Sequence, residues 1–412
     1  MWNFFQRFDR AVWSLALAQL ITSAGFSLAL PFLSLYLSRE RGLSMSVVGT
    51  IMLFAAFVGA LGQFLGGDLS DRLGRKPVLL GAILFRILAF MGLAFLVFQE
   101  GTIWNIALMY MAVRLSGGLA MPPIFAFVAD LTVEKRVEGY GLLRVGMNVG
   151  WALGPALGGY LASRFPYAFL FLFGAMAAFL AFLLVLFCVP EPRIRAMAAA
   201  TRETFTAFKD PDFLPFLGAS IPVFLVAGQL VSTLSVFTVT KVGISEAQFG
   251  GLLTLNGLLV VVFQYPLARA VQGWPRRAGL ALGALLYSLG YLSFGWIRSF
   301  PLMLVAMTVI TAGEMVFTPV AQTVAADLAP EEHRGRYLGA FGLVESLGWS
   351  GGAFLGGVLL DWAPNPQVLW GAITSLGFLA TLVFGVFPKG LHRALQEKTP
   401  GALHEENRRP RS

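Results

Sequence analysis

Twelve runs of about twenty or more mainly apolar residues, separated by short polar connectors, leave this chain few ways to fold. They lie at about 11–37, 46–66, 78–98, 103–129, 139–162, 166–189, 213–238, 247–270, 278–297, 301–327, 336–360 and 367–387. Some ~20 residues of helix cross the hydrocarbon core of a bilayer, and lipid admits only helices or closed barrels. An all-α membrane protein with twelve transmembrane helices is therefore expected. Only 13% of the 412 residues are charged, about half the share in a soluble domain. The first run is too long for a signal-peptide core and reads as a retained helix, kinked at Pro31. The net charge of +8 is spread over short loops and a tail, which suits lipid headgroups better than nucleic acid. The single Cys188 excludes an internal disulfide. His333, His392 and His404 lie in polar segments, so neither a metal site nor any other cofactor is expected. No G-x-x-x-x-G-K-[ST] run points to ATP hydrolysis.

Orientation follows from the basic residues. With the N-terminus inside, the inner segments hold 22 Lys and Arg and the outer loops 5. That bias places both termini in the cytoplasm of a multi-pass protein of the inner membrane. The remaining three, Arg86, Arg114 and Arg144, fall within runs; for Arg86 and Arg144, snorkelling toward a cytoplasmic end is the expectation.

The two halves repeat. Gly42-Leu43-Ser44 recurs as Gly243-Ile244-Ser245, and Arg75 recurs as Arg276. Ala129-Asp130-Leu131 recurs as Ala326-Asp327-Leu328, and Gly158-Gly159 as Gly356-Gly357. Duplicated halves around a central site are a common transporter plan. The expected division is a six-helix bundle over 1–189, a cytoplasmic connector over 190–212, a second bundle over 213–387 and a cytoplasmic tail over 388–412.

The stretch Gly67-Asp68-Leu69-Ser70-Asp71-Arg72-Leu73-Gly74-Arg75-Lys76-Pro77 is too charged for hydrocarbon and reads as a tight turn. Gly67 and Gly74 give it backbone freedom. Asp71 suits a helix N-terminus, and Arg72 and Arg75 suit a carboxylate such as Asp130. A cytoplasmic latch and simple solvation of a loop are both compatible with this pattern. The second-half copy has lost the acid, so a latch would be one-sided. In the fifth run, Gly150, Gly154 and Gly158 share one face, with Gly159 beside them and Pro155 bending the helix. That face is either a packing seam or a bend at the interface between the halves. Arg114 in the fourth run, Glu314 in the tenth and Glu345 in the eleventh are the deep charges that proton coupling would use; structural pairing is the alternative for each. Gln19, Asn148, Gln229 and Asn256 would line a cavity or bond a neighbouring helix.

Gly67-x-Leu69-x-Asp71-Arg72-x-Gly74-Arg75-Lys76 resembles the loop between helices 2 and 3 of the major facilitator superfamily. Arg114 followed by Gly118 looks like that family's helix 4 motif, with Gly117 replacing the usual Gln. Gly150-x-x-x-Gly154-Pro155-x-x-Gly158-Gly159 is similar to its helix 5 antiporter motif. Gly313-Glu314 through Pro319 resembles helix 10 of bacterial twelve-helix multidrug exporters. The resemblance implies two pseudo-symmetric bundles, alternating access, and antiport in which proton influx drives export of lipophilic, in part cationic, drugs by a monomer. It implies no cofactor besides the proton gradient. Helix 1 carries none of the acid that many relatives place there, so the proton load falls on Glu314 and Glu345. An uptake permease or a lipid or glycolipid flippase is the alternative. A membrane-embedded sensor or enzyme would need a catalytic set, and none is found.

Overall fold

A computed structural model describes residues 8–132, 135–191, 207–330 and 333–386. Among these the chain is helical, without a strand. The spanning segments are α1 (Arg10–Leu35, continued by a π-turn at Tyr36–Glu40), α2 (Met45–Leu73), α3 (Arg75–Phe98), α4 (Ile103–Leu131), α5 (Arg136–Ala162) and α6 (Ala168–Cys188). Then come α7 (Phe213–Ala227, prolonged by short turns to Val242), α8 (Glu246–Val271), α9 (Arg276–Ser293), α10 (Phe300–Leu328), α11 (Arg334–Trp362) and α12 (Pro366–Val386). Ten of the described helices are long and apolar enough to cross a membrane unaided. The two that are not are α5, diluted by glycine, arginine and asparagine, and α9, whose 18 residues open with Arg276 and Arg277. The connector residues Arg193, Arg195 and Arg202, and the tail from Pro388, lie outside the described residues.

The duplicated sequence produces duplicated packing. In the first half α1 packs on α5 and α6, α2 on α4, and α3 on α4 and α6. In the second half each of these pairings recurs with six added to both helix numbers. The halves meet through two exchanged pairs, α2 with α11 and α5 with α8.

Small residues set these approaches. A methyl group added at Gly150 would sit 2.5 Å from the Leu20 carbonyl, and one at Gly154 2.5 Å from that of Ala24. The four-residue glycine face of α5 thus packs on α1, inside its own half, instead of forming the bend between halves. The residues that do face the other half lie on an adjacent stripe. Gly159 abuts Glu246 and Gly250, Pro155 abuts Gly250, and Ala152 abuts Gly257. The same division holds in α11, where Gly348, Gly352 and Gly356 face α7 and Gly357 faces Met45 of α2.

The Gly67–Pro77 stretch is not an eleven-residue turn. Gly67 through Leu73 are the last turns of α2, and Gly74 alone joins it to α3. At about 1.5 Å per residue the 29 residues of α2 span roughly 43 Å. Its charged end therefore stands clear of a ~30 Å hydrocarbon core, held helical by the Asp68–Arg72 pair one turn apart (2.8 Å). Gly74 has φ +96°, which only glycine adopts without strain. The end of the molecule bearing Gly74 is here the Gly74 face; the opposite end, bearing the α1–α2 turn, is the Arg39 face.

Candidate functional site

A cavity of about 210 Å³ opens beside α1, α2, α3, α4 and α5, and Ser346 of α11 closes it from the other half. Its polar lining includes Gln19, Gln63, Arg86 and Arg114. Arg114 stacks its guanidinium over Phe26, 5.8 Å from the ring centre, and Phe26 in turn meets Trp151 edge-on. Arg86 does not snorkel. It sits near the middle of α3 with 8% of its surface exposed, and its Nε donates to Ser116 Oγ (3.3 Å). The available signal was its distance from Arg75, which opens the same helix three turns earlier and leaves Arg86 too deep to reach that end. Gln63 was also legible as a lone amide in an apolar run.

The acids occupy the other half. Asn256 of α8 donates from Nδ2 to Glu314 Oε2 (2.9 Å) and to Thr311 Oγ1 (3.0 Å). Glu314 is thus held between α8 and α10, with Tyr287 and Tyr291 of α9 in its electrostatic surroundings. Glu345 on α11 is half-buried and interacts with Arg144 of α5 and with Glu314. Arg144 is exposed and donates to Gln322 Oε1 of α10 (3.1 Å), a bond between the halves.

The four neutral polar residues separate. Gln19 lines the cavity, its Nε2 3.9 Å from Met121 Sδ. Asn256 is committed to Glu314. Asn148 is half-buried on α5 and is not among the residues lining this cavity. Gln229 has no exposed surface; its Nε2 donates to the Leu225 and Gly352 carbonyls (both 2.8 Å). It is a tie between α7 and α11, since a fully enclosed amide must spend its donors on neighbouring backbone.

On the Gly74 face the expected latch is an anchor within the first half. Arg75 pairs with Asp130 and donates to the Ala126 carbonyl. Arg72 pairs with Asp68, not with Asp130, because both lie on the exposed side of α2. Asp71 is exposed and makes no hydrogen bond or ion pair among the described residues. The free N–H groups at the start of α3 go instead to Glu191, which accepts from Arg75 N (3.1 Å) and Lys76 N (3.2 Å). A carboxylate there is favoured by the helix dipole. The signal for Glu191 was its place in Pro190-Glu191-Pro192, just beyond an apolar run. The second half has its own anchor, Arg276–Asp327 at 3.7 Å, so the duplicated cation and carboxylate survive, while Asp71 has no counterpart there.

The Arg39 face is where the halves seal. Arg39 pairs with Glu246, and Tyr167 Oη donates to the same carboxylate (3.4 Å). Burial, then the neighbouring Glu246 charge, pushes the Tyr167 phenol well above its usual range. Ser34 and Ser235 share a bond of 3.1 Å. Asp361 at the end of α11 accepts from Met45 N (2.9 Å) and Ser46 N (2.7 Å), capping α2. The seal runs from this face to the level of Gly257. Beyond it α8 has no buried residue until Val271, and Val262, Phe263 and Tyr265 are exposed. The halves are packed at the Arg39 face; toward the Gly74 face the bond described between them is that of Arg144 with Gln322.

The sequence matches the Major Facilitator Superfamily over residues 15–245 and 223–409. It is similar to the MFS-type transporter YttB of Bacillus subtilis, 27% identical over 359 residues, 85% of this chain and 89% of that one. It is also similar to multidrug resistance protein MdtH of Shigella dysenteriae, 25% identical over 384 residues, 90% and 92% of the two chains. A crystal structure of the peptide transporter POT with sulfate superposes with a TM-score of 0.76 at 16% identity, covering 94% of this chain and 96% of that one. A D-xylose-proton symporter gives 0.74 at 17%, covering 91% and 96%. At those identities the likeness is one of fold.

Proposed function

Because this chain belongs to the major facilitator superfamily and is a multi-pass membrane transporter, we propose that it is a proton-coupled antiporter of the bacterial inner membrane. It expels lipophilic small molecules, cationic ones among them, by alternating access. The 22 to 5 distribution of basic residues supports a cytoplasmic location for the Gly74 face and both termini. The conformation described above, packed at the Arg39 face, is then the one sealed toward the outside.

The observation that carries this reading is Glu314, a carboxyl inside a spanning helix with an amide and a hydroxyl as its neighbours and no cation bonded to it among the described residues. An ionised carboxylate at that depth is costly, so binding and release of a proton there change the energy of the cavity wall. A proton taken from outside neutralises Glu314 and favours closure around an empty site; its loss to the cytoplasm restores a wall that attracts the next substrate. Glu345, within electrostatic range of Arg144 of α5, links that event to the closing of the cytoplasmic side. The relatives named multidrug resistance protein support drugs as cargo.

The test is ethidium transport by purified protein in proteoliposomes under an imposed pH gradient. Glu314→Gln is expected to abolish gradient-driven transport while leaving passive exchange of ethidium down its own gradient. Undiminished gradient-driven transport by that variant would remove Glu314 from the mechanism.

A further inference from the structure

Two guanidinium groups face one small cavity in the first half, and neither forms an ion pair among the described residues. Every described Asp and Glu between α1 and α6 lies in a loop, at a cap or in an end turn, so no carboxylate reaches the middle of that bundle. Arg86 is the sharper case. Of its five N–H donors, one goes to Ser116. The guanidinium continues past it to Gly117, where Nη2 lies 3.4 Å from the point a Cβ would occupy. A Cβ there would only touch Nη2, but the longer side chains that glycine omits would cover it, and both residues line the cavity. Arg114 reaches the same cavity from α4, its charge resting on the face of Phe26, and the two cations repel.

A buried cation without a counter-charge is costly, and two sharing one wall are more so. Packing does not demand this arrangement, because a leucine or glutamine would fill the space at lower cost. An anion bound between the two guanidiniums removes the repulsion and uses the planar donors that suit carboxylates. The cavity, about 210 Å³, has room for an acidic head group and a ring, not for a whole drug-sized molecule. Phe26, Trp151 and Met121 supply the apolar side for that ring.

We propose that Arg86 and Arg114 form a binding site for a carboxylate group on the transported molecule, so that the cargo includes lipophilic organic acids. This deepens the transport reading above and rests on it. The first half holds the acid group and the second half, with Glu314 and Glu345, handles the proton. A molecule carrying both an acid and an amine is then accommodated across the two walls, whereas a simple cation has no partner in the first half.

The test is equilibrium binding to the full-length protein in lipid nanodiscs, using radiolabelled 4-phenylbutyrate, 4-phenylbutanamide and 4-phenylbutylamine. These share a ring and chain and differ in charge. The acid is expected to bind at least about tenfold more tightly than the amide, because hydrogen bonds to charged groups carry that much. Arg86→Gln and Arg114→Gln should each weaken the acid by about ten- to a hundredfold and leave the amide unchanged. Should either fail to fold, two milder variants serve. Arg86→Lys keeps a charge and should retain part of the preference. Gly117→Gln, whose amide would occupy the space before Nη2, should lose it. Equal binding of acid and amide, amine binding weakened by Arg86→Gln as much as acid binding, or an acid preference that survives both Arg86→Gln and Gly117→Gln would overturn the proposal. The two readings fail separately. Acid binding with ethidium transport indifferent to Glu314→Gln leaves the site standing and removes the coupling scheme. The reverse pattern removes the site and leaves the coupling scheme.

Discussion

Asp361 caps a helix that belongs to the other half of the molecule, and its removal has a calculable effect on conformation. The related helix starts show the contrast. At α8, Ser245 caps its own helix, with Gln248 N donating to Ser245 Oγ (3.1 Å) and Gln248 Oε1 accepting from Ser245 N (2.9 Å). At α2, Ser44 stands in the same place but its hydroxyl bonds to Ser46 Oγ (3.0 Å), and the N–H groups of Met45 and Ser46 go to Asp361. When the halves part on the Arg39 face, α2 loses this cap to water. Losing an N-cap costs about 0.5–2 kcal/mol, and a carboxylate at a helix start adds about 0.3–1 kcal/mol where exposed. Asp361 is exposed, so about 1–2 kcal/mol favours the state sealed at the Arg39 face. Asp361→Ala should therefore reduce the sealed-to-open ratio by roughly 5- to 30-fold. The assay is electron–electron distance measurement between spin labels at Ser163 and Pro364, both exposed at the Arg39 face on opposite halves, in a Cys188→Ser background. A longer-distance population should grow in Asp361→Ala. Ser245→Ala is the control, since it uncaps α8 within one half and should weaken the fold without moving the ratio. An unchanged distance distribution in Asp361→Ala, or the same change in both variants, would refute the reasoning.

Three further outcomes are expected. Asp130→Asn, which strips Arg75 of its partner, should lower the melting temperature in detergent more than Asp327→Asn, whose partner Arg276 stands at 3.7 Å; for half-exposed pairs the difference is up to about 1 kcal/mol. Glu191→Gln should raise hydrogen exchange at the Arg75 and Lys76 amides by a fewfold, with no change at α4, because a charged cap at a helix start contributes about 0.3–1 kcal/mol. Gly356→Ala should sharply reduce the yield of monodisperse protein on size exclusion, since its methyl would collide with Gln229 and Thr233, whereas Gly339→Ala, with open space around it, should not.

The architecture was legible because a bilayer demands one answer from each long apolar run. The recurrence of Gly42-Leu43-Ser44, Arg75 and Asp130 in the second half carried the six-plus-six plan, and the repeated packing follows it helix by helix. Partners were less legible, because periodicity says which residues share a face but not which neighbour that face meets. The glycine face of α5 was visible in sequence, yet whether α1 or the opposite half lay against it is decided by tertiary packing. Arg72 shows the same limit: its local partner Asp68, one turn away, competes with the distant Asp130 and wins. Arg86 was misread for another reason. A lone arginine in an apolar run ordinarily reaches for the headgroups, and only the clear space at Gly117 and the neighbouring Arg114 show that this one turns inward.

The two halves share a backbone plan but carry opposite charge at mid-membrane, with Arg86 and Arg114 in the first and Glu314 and Glu345 in the second. If duplication alone governed these positions, both halves would show the same sign. The cation–carboxylate anchors at Arg75–Asp130 and Arg276–Asp327 do match, so sequence drift has not erased the symmetry where it serves only structure. The opposite charges fall instead inside the spanning helices. A charge in hydrocarbon costs several kcal/mol, so four of them kept at that depth must each lower the energy of some state in the cycle. In the coupling scheme proposed above, that state for the acids is the protonated one. For the arginines no proton can serve, because guanidinium stays charged throughout. On the proposal above, their compensation comes from a molecule that arrives with negative charge and leaves with the cycle, so that cargo and coupling fall to different halves.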